Sequence, residues 1–358
     1  MPSLKEIKGR INSISSTLAI TSAMKMVAAA KLQKAQMAIQ NMLPYERRLH
    51  SMLIDLMGAM NISAAASEDG SVRGSGSAER GFDQSGDRLS LSNRHDLAGM
   101  DGAYSLMAQR EVRKVAIVAF ASNSSLCGAF NSNAIREATA VINEYRASGL
   151  RDSDIVVYSV GRKIAEAMRK LGFPSPADFT KMSDSPSYEA ASALAQELLD
   201  GFVSGRFDKV ELVYNHYKST SSQPTIRQTY LPLSLADATA DIQVGKITDS
   251  ASESDTNRGA EPVGAPVVRQ GSPTTEDLIV EPSKEALIAT LLPKVIRLRI
   301  FTTLLDSAAA EHAARTVAMQ LATDNGNDLL QELTLEYNKG RQQKITSEIL
   351  DLVGGSMQ

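Results

Sequence analysis

A chain of 358 residues, 22% charged and 43% hydrophobic, has the composition of an ordinary soluble protein with room for about two domains. Its net charge is −3, no nucleic-acid partner is expected, and the one cysteine, Cys127, excludes an internal disulfide and fits a reducing compartment. No apolar run reaches the ~18 residues of a spanning helix, and MPSLKEIKGR lacks the apolar stretch of a secretory signal, so neither direct membrane insertion nor export is expected.

Residues 1–60 read as one long helix. Leu4, Ile7, Ile11, Ile14, Leu18, Thr21, Lys25, Ala28, Leu32, Ala35, Ile39 and Met42 follow at alternating steps of three and four. A stripe of that period needs a partner helix along its whole length. Pro44 predicts a kink rather than an end, because apolar spacing resumes in Leu49, Met52, Leu53, Leu56 and Met57. Residues 61–110 lose periodicity and become rich in Ser, Gly, Asp and Arg, the composition of a mobile insertion.

Residues 111–236 change pattern. Val115 to Phe120 is a continuous apolar run, as expected of a strand buried on both faces. A helix is expected from Asn131 to Ala147, a strand at Ile155–Tyr158, and helices over 162–171 and 187–204. Strands alternating with helices argue for a parallel sheet with right-handed crossovers, in the manner of a Rossmann-like domain. Val210–Lys218 and Ile226–Leu233 instead flank Ser219–Pro224, which reads as a hairpin loop.

Residues 237–281 are again polar and strongly acidic, a second mobile insertion. Residues 282–358 read as the second long helix, opened by Pro282 and a cap at Ser283. Leu291, Leu298, Phe301, Leu305, Ala308, Met319, Ala322, Leu329 and Leu333 form its ladder, which keeps phase across the turn-prone Thr323–Asp328. The simplest partner for one terminal ladder is the other. The fold class is therefore α/β with long helices: an antiparallel coiled coil of the N- and C-terminal helices plus an inserted Rossmann-like α/β domain.

Charge is unevenly spread. Residues 1–50 hold eight Lys or Arg against two Glu, while residues 237–285 hold ten acidic side chains against four basic. A solvated basic helix is one account, and a helix passing acidic partner surfaces is the other. Lys25 on the seam is hard to explain without a partner, whereas Arg315 has Glu311 one turn before it.

No catalytic set emerges. Ser122–Gly128 lies between a buried strand and a helix, where α/β proteins place phosphate loops. It lacks both glycine-rich phosphate motifs and any His or Lys near Cys127 in sequence. A structural turn with a small buried thiol is the reading. His50, His95, His216 and His312 are scattered, so no triad, metal site or cofactor is expected.

Three stretches carry a resemblance. Ile20–Lys31 (ITSAMKMVAAAK), Glu311–Asn325 (EHAARTVAMQLATDN) and Tyr337–Ile349 (YNKGRQQKITSEI) are similar to the signatures of the gamma-subunit family of F-type ATP synthases. Leu126–Asn131, Tyr214–Asn215 and Gln223–Thr225 resemble shorter motifs of its α/β domain. The resemblance covers most of the chain outside the two insertions. It implies a non-catalytic central rotor shaft that couples proton flow to ATP synthesis on partner subunits. The coil would sit inside a hexamer of alpha and beta subunits, with the α/β domain against the epsilon subunit and the membrane c-ring. The location implied is the cytoplasmic face of the bacterial inner membrane, reached through the complex.

Position by position, Arg315, Arg341, Gln342, Thr346 and Glu348 match family positions that contact a catalytic-subunit loop. Met24 and Lys25 match the N-terminal contact region, and Ile349–Gly355 would form an apolar bearing. Residues 122–125 depart from the family's usual loop. Neither insertion contains cysteine, which excludes a disulfide switch. The competing readings are a free-standing α/β enzyme whose terminal helices only dimerise it, and a static coiled-coil scaffold.

Overall fold

The computed structural model describes residues 3–59, 106, 109–233 and 284–356. In chain order the elements are α1 (Leu4–Ala59), β1 (Val115–Phe120), α2 (Phe130–Ala147), β2 (Ile155–Val160), α3 (Arg162–Lys170), α4 (Thr180–Asp184), α5 (Tyr188–Val203), β3 (Lys209–Asn215), β4 (Thr225–Leu231) and α6 (Lys284–Ser356). The expected cap at Ser283 and the insertion at 237–281 lie outside the described residues. So does the insertion at 61–110, apart from Leu106 and residues 109 and 110. Leu106 belongs to the domain core: it is buried, and its carbonyl accepts from the Leu233 amide.

The terminal helices, 56 and 73 residues long, measure ~84 and ~110 Å at about 1.5 Å per residue. Each passes through a proline, Pro44 in α1 and Pro293 in α6. They run antiparallel. Gly340 faces Leu4, Gly326 faces Leu18, the Thr323 hydroxyl meets that of Thr21 at 3.1 Å, and Thr302 Oγ1 donates to Glu46 at 3.0 Å. As the α1 number rises the α6 number falls, so one register runs the length of the rod. Every ladder position read in α1, from Leu4 to Met42, is buried or half-buried.

In α6 the ladder needs one correction. Leu329 is exposed, and the seam passes instead through Gly326, Leu330, Leu333, Tyr337 and Gly340. The reason is Leu18: a Cβ at position 326 would stand 2.6 Å from its Cδ2, so any larger residue there requires the Leu18 side chain to move. A helix-interior glycine costs about 1 kcal/mol relative to alanine, which the close packing offsets.

The sheet order is β2-β1-β3-β4, with β1 parallel to β2 and β3, and β4 antiparallel to β3. Alternation along the strands feeds two layers. Ala116, Val118, Phe120, Tyr158 and Val160 pack towards α5 and α6, while Val115, Ile117, Ala119, Ile155 and Val157 pack towards α2 and α3. The stretch of α6 from Leu292 to Ala313 is buried almost all round, having α1 on one side and the domain on the other. β3 and β4 end earlier than the sequence predicts, at Asn215 and Leu231, and the five-residue α4 had no periodic signal.

One buried position in β3 is charged. Glu211 accepts from Tyr145 Oη (2.6 Å), Arg227 Nε (2.7 Å) and Lys209 Nζ (2.7 Å), and Arg227 also pairs with Glu144. Burial alone would raise the Glu211 carboxyl, but the three donors outweigh it and hold the group below its ordinary value.

Candidate interaction surface and the rod–domain joint

Beyond the core that α6 shares with the sheet around Leu292, Ile296 and Leu304, the domain grips the rod at two further places. In the first, the chain leaving β3 turns against α6. His216 Nδ1 meets Asp306 at 2.6 Å, the Tyr217 amide donates to the same carboxylate at 2.9 Å, and Gln36 of α1 donates to Tyr217 Oη at 2.7 Å. One hairpin thereby ties both rod helices. Tyr217 packs against two clusters, one of Leu32, Ala309 and Ala313 and one of Cys127, Phe130 and Ala310.

The hydrogen bond to Asp306 raises the His216 pKa above 6.5 despite burial. A raised histidine contributes stability that is complete below its unfolded value and is lost as pH rises through the folded one. Exchange protection of the Tyr217 amide, corrected for intrinsic rate, is accordingly expected to fall as pH climbs above about 6.5. Asp306→Asn should remove that pH dependence.

The second grip is the loop after β1. Cys127 is buried with Phe130 against Ala310, and a Cβ on Gly128 would stand 3.9 Å from Ala318. The thiol lies inside the joint, 3.1 Å from Asn131 Nδ2, as a small packed side chain. Ser124 Oγ accepts from Arg315 Nη2 at 2.6 Å, and Arg315 Nη1 donates to Glu311 at 2.7 Å. Burial raises the Glu311 carboxyl, and Arg315 only partly offsets this. Burial beside Arg315 and Lys31 pushes the neighbouring His312 down to about 4, which keeps it neutral.

The strand ends where α/β domains usually hold a ligand are thus covered by the chain's own helix. Among the described residues no three His, Cys, Asp or Glu stand together as a metal-binding group. None of the described helices is long and apolar enough to cross a membrane.

The candidate contact residues separate into three groups. Met24 and Lys25 are half-buried on α1, level with Gln320 and Met319 by the register of the Thr21–Thr323 contact. Arg315 has a side chain only 12% exposed and bonds within the chain. Arg341, Gln342, Thr346 and Glu348 lie where α6 has outrun α1, beyond the Gly340–Leu4 contact, and all are exposed. There Thr346 returns its hydroxyl to the Gln342 carbonyl and Lys344 stands 3.7 Å from Glu348, an exposed pair of little energetic weight. The tip carries Ile345, Ile349, Leu350 and Leu352 in the open, the last 75% exposed. An uncovered apolar helix end of this kind marks a surface made for another molecule.

Sequence reasoning missed Gln36, Ser124, Tyr217 and Asp306. Their bonds join positions 89 to 191 residues apart, and no local pattern announces such pairs.

Comparison with known proteins covers the whole of this architecture. A family profile described as ATP synthase matches residues 3–357. A protein named ATP synthase gamma chain from Phocaeicola vulgatus is 46% identical over 357 residues, covering 100% of both chains. One of the same name from Bacteroides thetaiotaomicron is 44% identical over 358 residues, again with 100% of both covered. Two solved structures share the fold at 18% identity. The rotor of Euglena gracilis mitochondrial ATP synthase in rotational state 1 gives a TM-score of 0.51, covering 96% of this chain and 98% of its own. A second Euglena gracilis assembly, OSCP/F1/c-ring in rotational state 3, gives 0.52, covering 99% and 93%.

Proposed function

The chain belongs to the ATP synthase gamma-chain family, and from that premise we propose that it is the central rotor shaft of an F-type synthase, itself non-catalytic. The coiled coil turns inside a hexamer of alpha and beta subunits, while the α/β domain rests on the epsilon subunit and the membrane c-ring. It is a peripheral component of the cytoplasmic face of the inner membrane, held there by its partners. Proton flow drives the ring and ATP forms on the alpha and beta subunits. One charge crossing 100 mV releases only about 2.3 kcal/mol, so several crossings must be pooled for each ATP. A long, asymmetric rod can store that work and present a different face to each catalytic site in turn.

The observation that supports this most is the lone end of α6. From Arg341 to Leu350 it is exposed on every side, apolar at Ile349 and Leu350 with Leu352 beyond, and studded with Arg341, Gln342 and Glu348. A few charge-assisted bonds on an otherwise smooth helix give grip that depends on angle without locking the shaft. Met24 and Lys25 make the corresponding contact on α1. Packing of Ala310 and Ala314 on Cys127 and Phe130, against the loop after β1, disfavours a free-standing enzyme.

Co-expression with alpha and beta subunits tests the proposal. The chain is expected to co-purify with them. Arg341→Ala with Gln342→Ala is expected to lower ATP turnover about tenfold, corresponding to ~1.4 kcal/mol lost from charge-assisted contacts. A chain that purifies alone, with its tip as free in their presence as in their absence, overturns the reading.

A further inference from the structure

We infer that Arg315 acts within the rotor, as a latch to Ser124 that stops the 306–318 stretch of α6 from rolling against the loop after β1. The inference rests on the rotor reading above and assigns Arg315 a partner in its own chain. Asp306 and Arg315 are nine positions apart, and at about 100° per residue they project from opposite edges of the face that α6 turns to the domain. Between them lies a stripe of small side chains, with Ala310 and Ala314 against Phe130 and Cys127, and Ala318 against Gly128. Alanine against a loop packs closely but offers few steric teeth, so it resists separation far better than rotation about the helix axis.

Polar bonds at the two edges supply what the stripe lacks. His216 and Tyr217 hold the Asp306 edge, and Ser124 holds the Arg315 edge at 2.6 Å.

A latch needs a rigid catch, and Ser124 has one. Its carbonyl accepts from Ser122 Oγ at 2.5 Å and from Asn131 Nδ2 at 3.0 Å. The preceding residue, Asn123, takes the guanidinium of Arg162 on its carbonyl at 2.7 and 3.0 Å, and gives its own amide to the Thr180 carbonyl at 2.7 Å. Two residues on, Leu126 sits at φ 69°, a conformation that a leucine keeps only when its surroundings fix it. On the rod side, Glu311 aligns the guanidinium from one turn earlier, with its own side chain 9% exposed. A catch and a bolt, each held by other bonds, leave little of Arg315 to reach a neighbouring subunit.

The test is a cycle in the assembled complex comparing Arg315→Ala, Ser124→Ala and the double variant, read by protons pumped per ATP hydrolysed and by amide exchange over residues 122–128. Each single variant is expected to lower the pumping ratio and to speed exchange of the loop about tenfold, the effect of losing one charged hydrogen bond. The double variant should be no worse than either single. Ser124→Asp, which offers Arg315 a charge, should keep both readouts at the parent level, and should lose them when combined with Arg315→Ala.

If Arg315→Ala lowers the ratio while Ser124→Ala leaves ratio and exchange unchanged, Arg315 acts on another subunit and the latch is wrong. Additive singles refute it too. Failure of the parent chain to assemble with alpha and beta subunits defeats the rotor reading instead, and exchange in the isolated chain still decides the latch.

Discussion

Replacing Glu211 by glutamine is expected to destabilise the α/β domain by about 3–5 kcal/mol, the usual effect of removing one partner from a buried charge cluster. The side chain is only 2% exposed, and Tyr145, Lys209 and Arg227 all donate to it. Glutamine can accept fewer of those bonds and brings no charge, so Lys209 is left without its carboxylate and Arg227 keeps only the exposed Glu144. Melting of the isolated chain should show the loss as a midpoint lowered by roughly 10 °C.

Replacing the cluster as a whole, with Glu211→Leu, Lys209→Met and Arg227→Met together, should recover most of the stability, since packed apolar groups often match a buried ion cluster. The acid limb gives an independent check. A carboxyl held below its ordinary value contributes stability above its unfolded value of 4.5 and loses it as pH falls through the folded one. In the Glu211→Gln chain, the part of acid destabilisation below about 4.5 that belongs to this cluster should therefore vanish. An unchanged acid limb would mean that the cluster is not what holds β3 and β4 to α2.

How much of this molecule could be read beforehand depends on which forces act locally. The α1 ladder was legible because one partner lies along one face of the helix, so burial follows a period of three and four. In α6 the same logic reached Leu298, Leu305, Ala308 and Met319, all of which are buried. It failed at Leu329, where the seam is set by what Leu18 will admit and not by hydrophobicity. It was also blurred from Leu292 to Ala313, because a helix enclosed on both sides shows no polar stripe.

The parallel pairing of β1, β2 and β3 followed from the helices between them, and the antiparallel β4 from the hairpin loop before it. Glu211 is a lone acid among the apolar residues Val210 to Tyr214, yet its partners beyond Lys209 come from α2 and β4. The joint residues are the hardest case. Asp306, Ser124 and Gln36 are ordinary surface types in sequence, and only the fold brings them to the rod.

The second large effect is expected where those joints meet. Ala309 is fully buried, packed with Leu32 and Ala313 and flanked by Ala35, Ile39 and Tyr217. Ala309→Leu forces three more carbons between α1, α6 and the hairpin, at a cost of about 1–3 kcal/mol for overpacking. Relief can come only by spreading the helices or expelling Tyr217, and either breaks the Gln36 bond to Tyr217 Oη.

Leu32→Ala alone empties the same place, at about 2–5 kcal/mol. The two together conserve volume across the seam, so the double variant should cost less than the sum of the singles. Melting of the isolated chain measures that coupling directly. In the assembled complex the same order should appear in protons pumped per ATP hydrolysed, with each single variant low and the exchanged pair nearer the parent. That ordering is specific to a joint that must be both filled and stiff. If the stabilities recover in the double variant while the pumping ratio does not, shape at this point matters beyond packing. If neither single variant moves the ratio, torque enters the rod somewhere else.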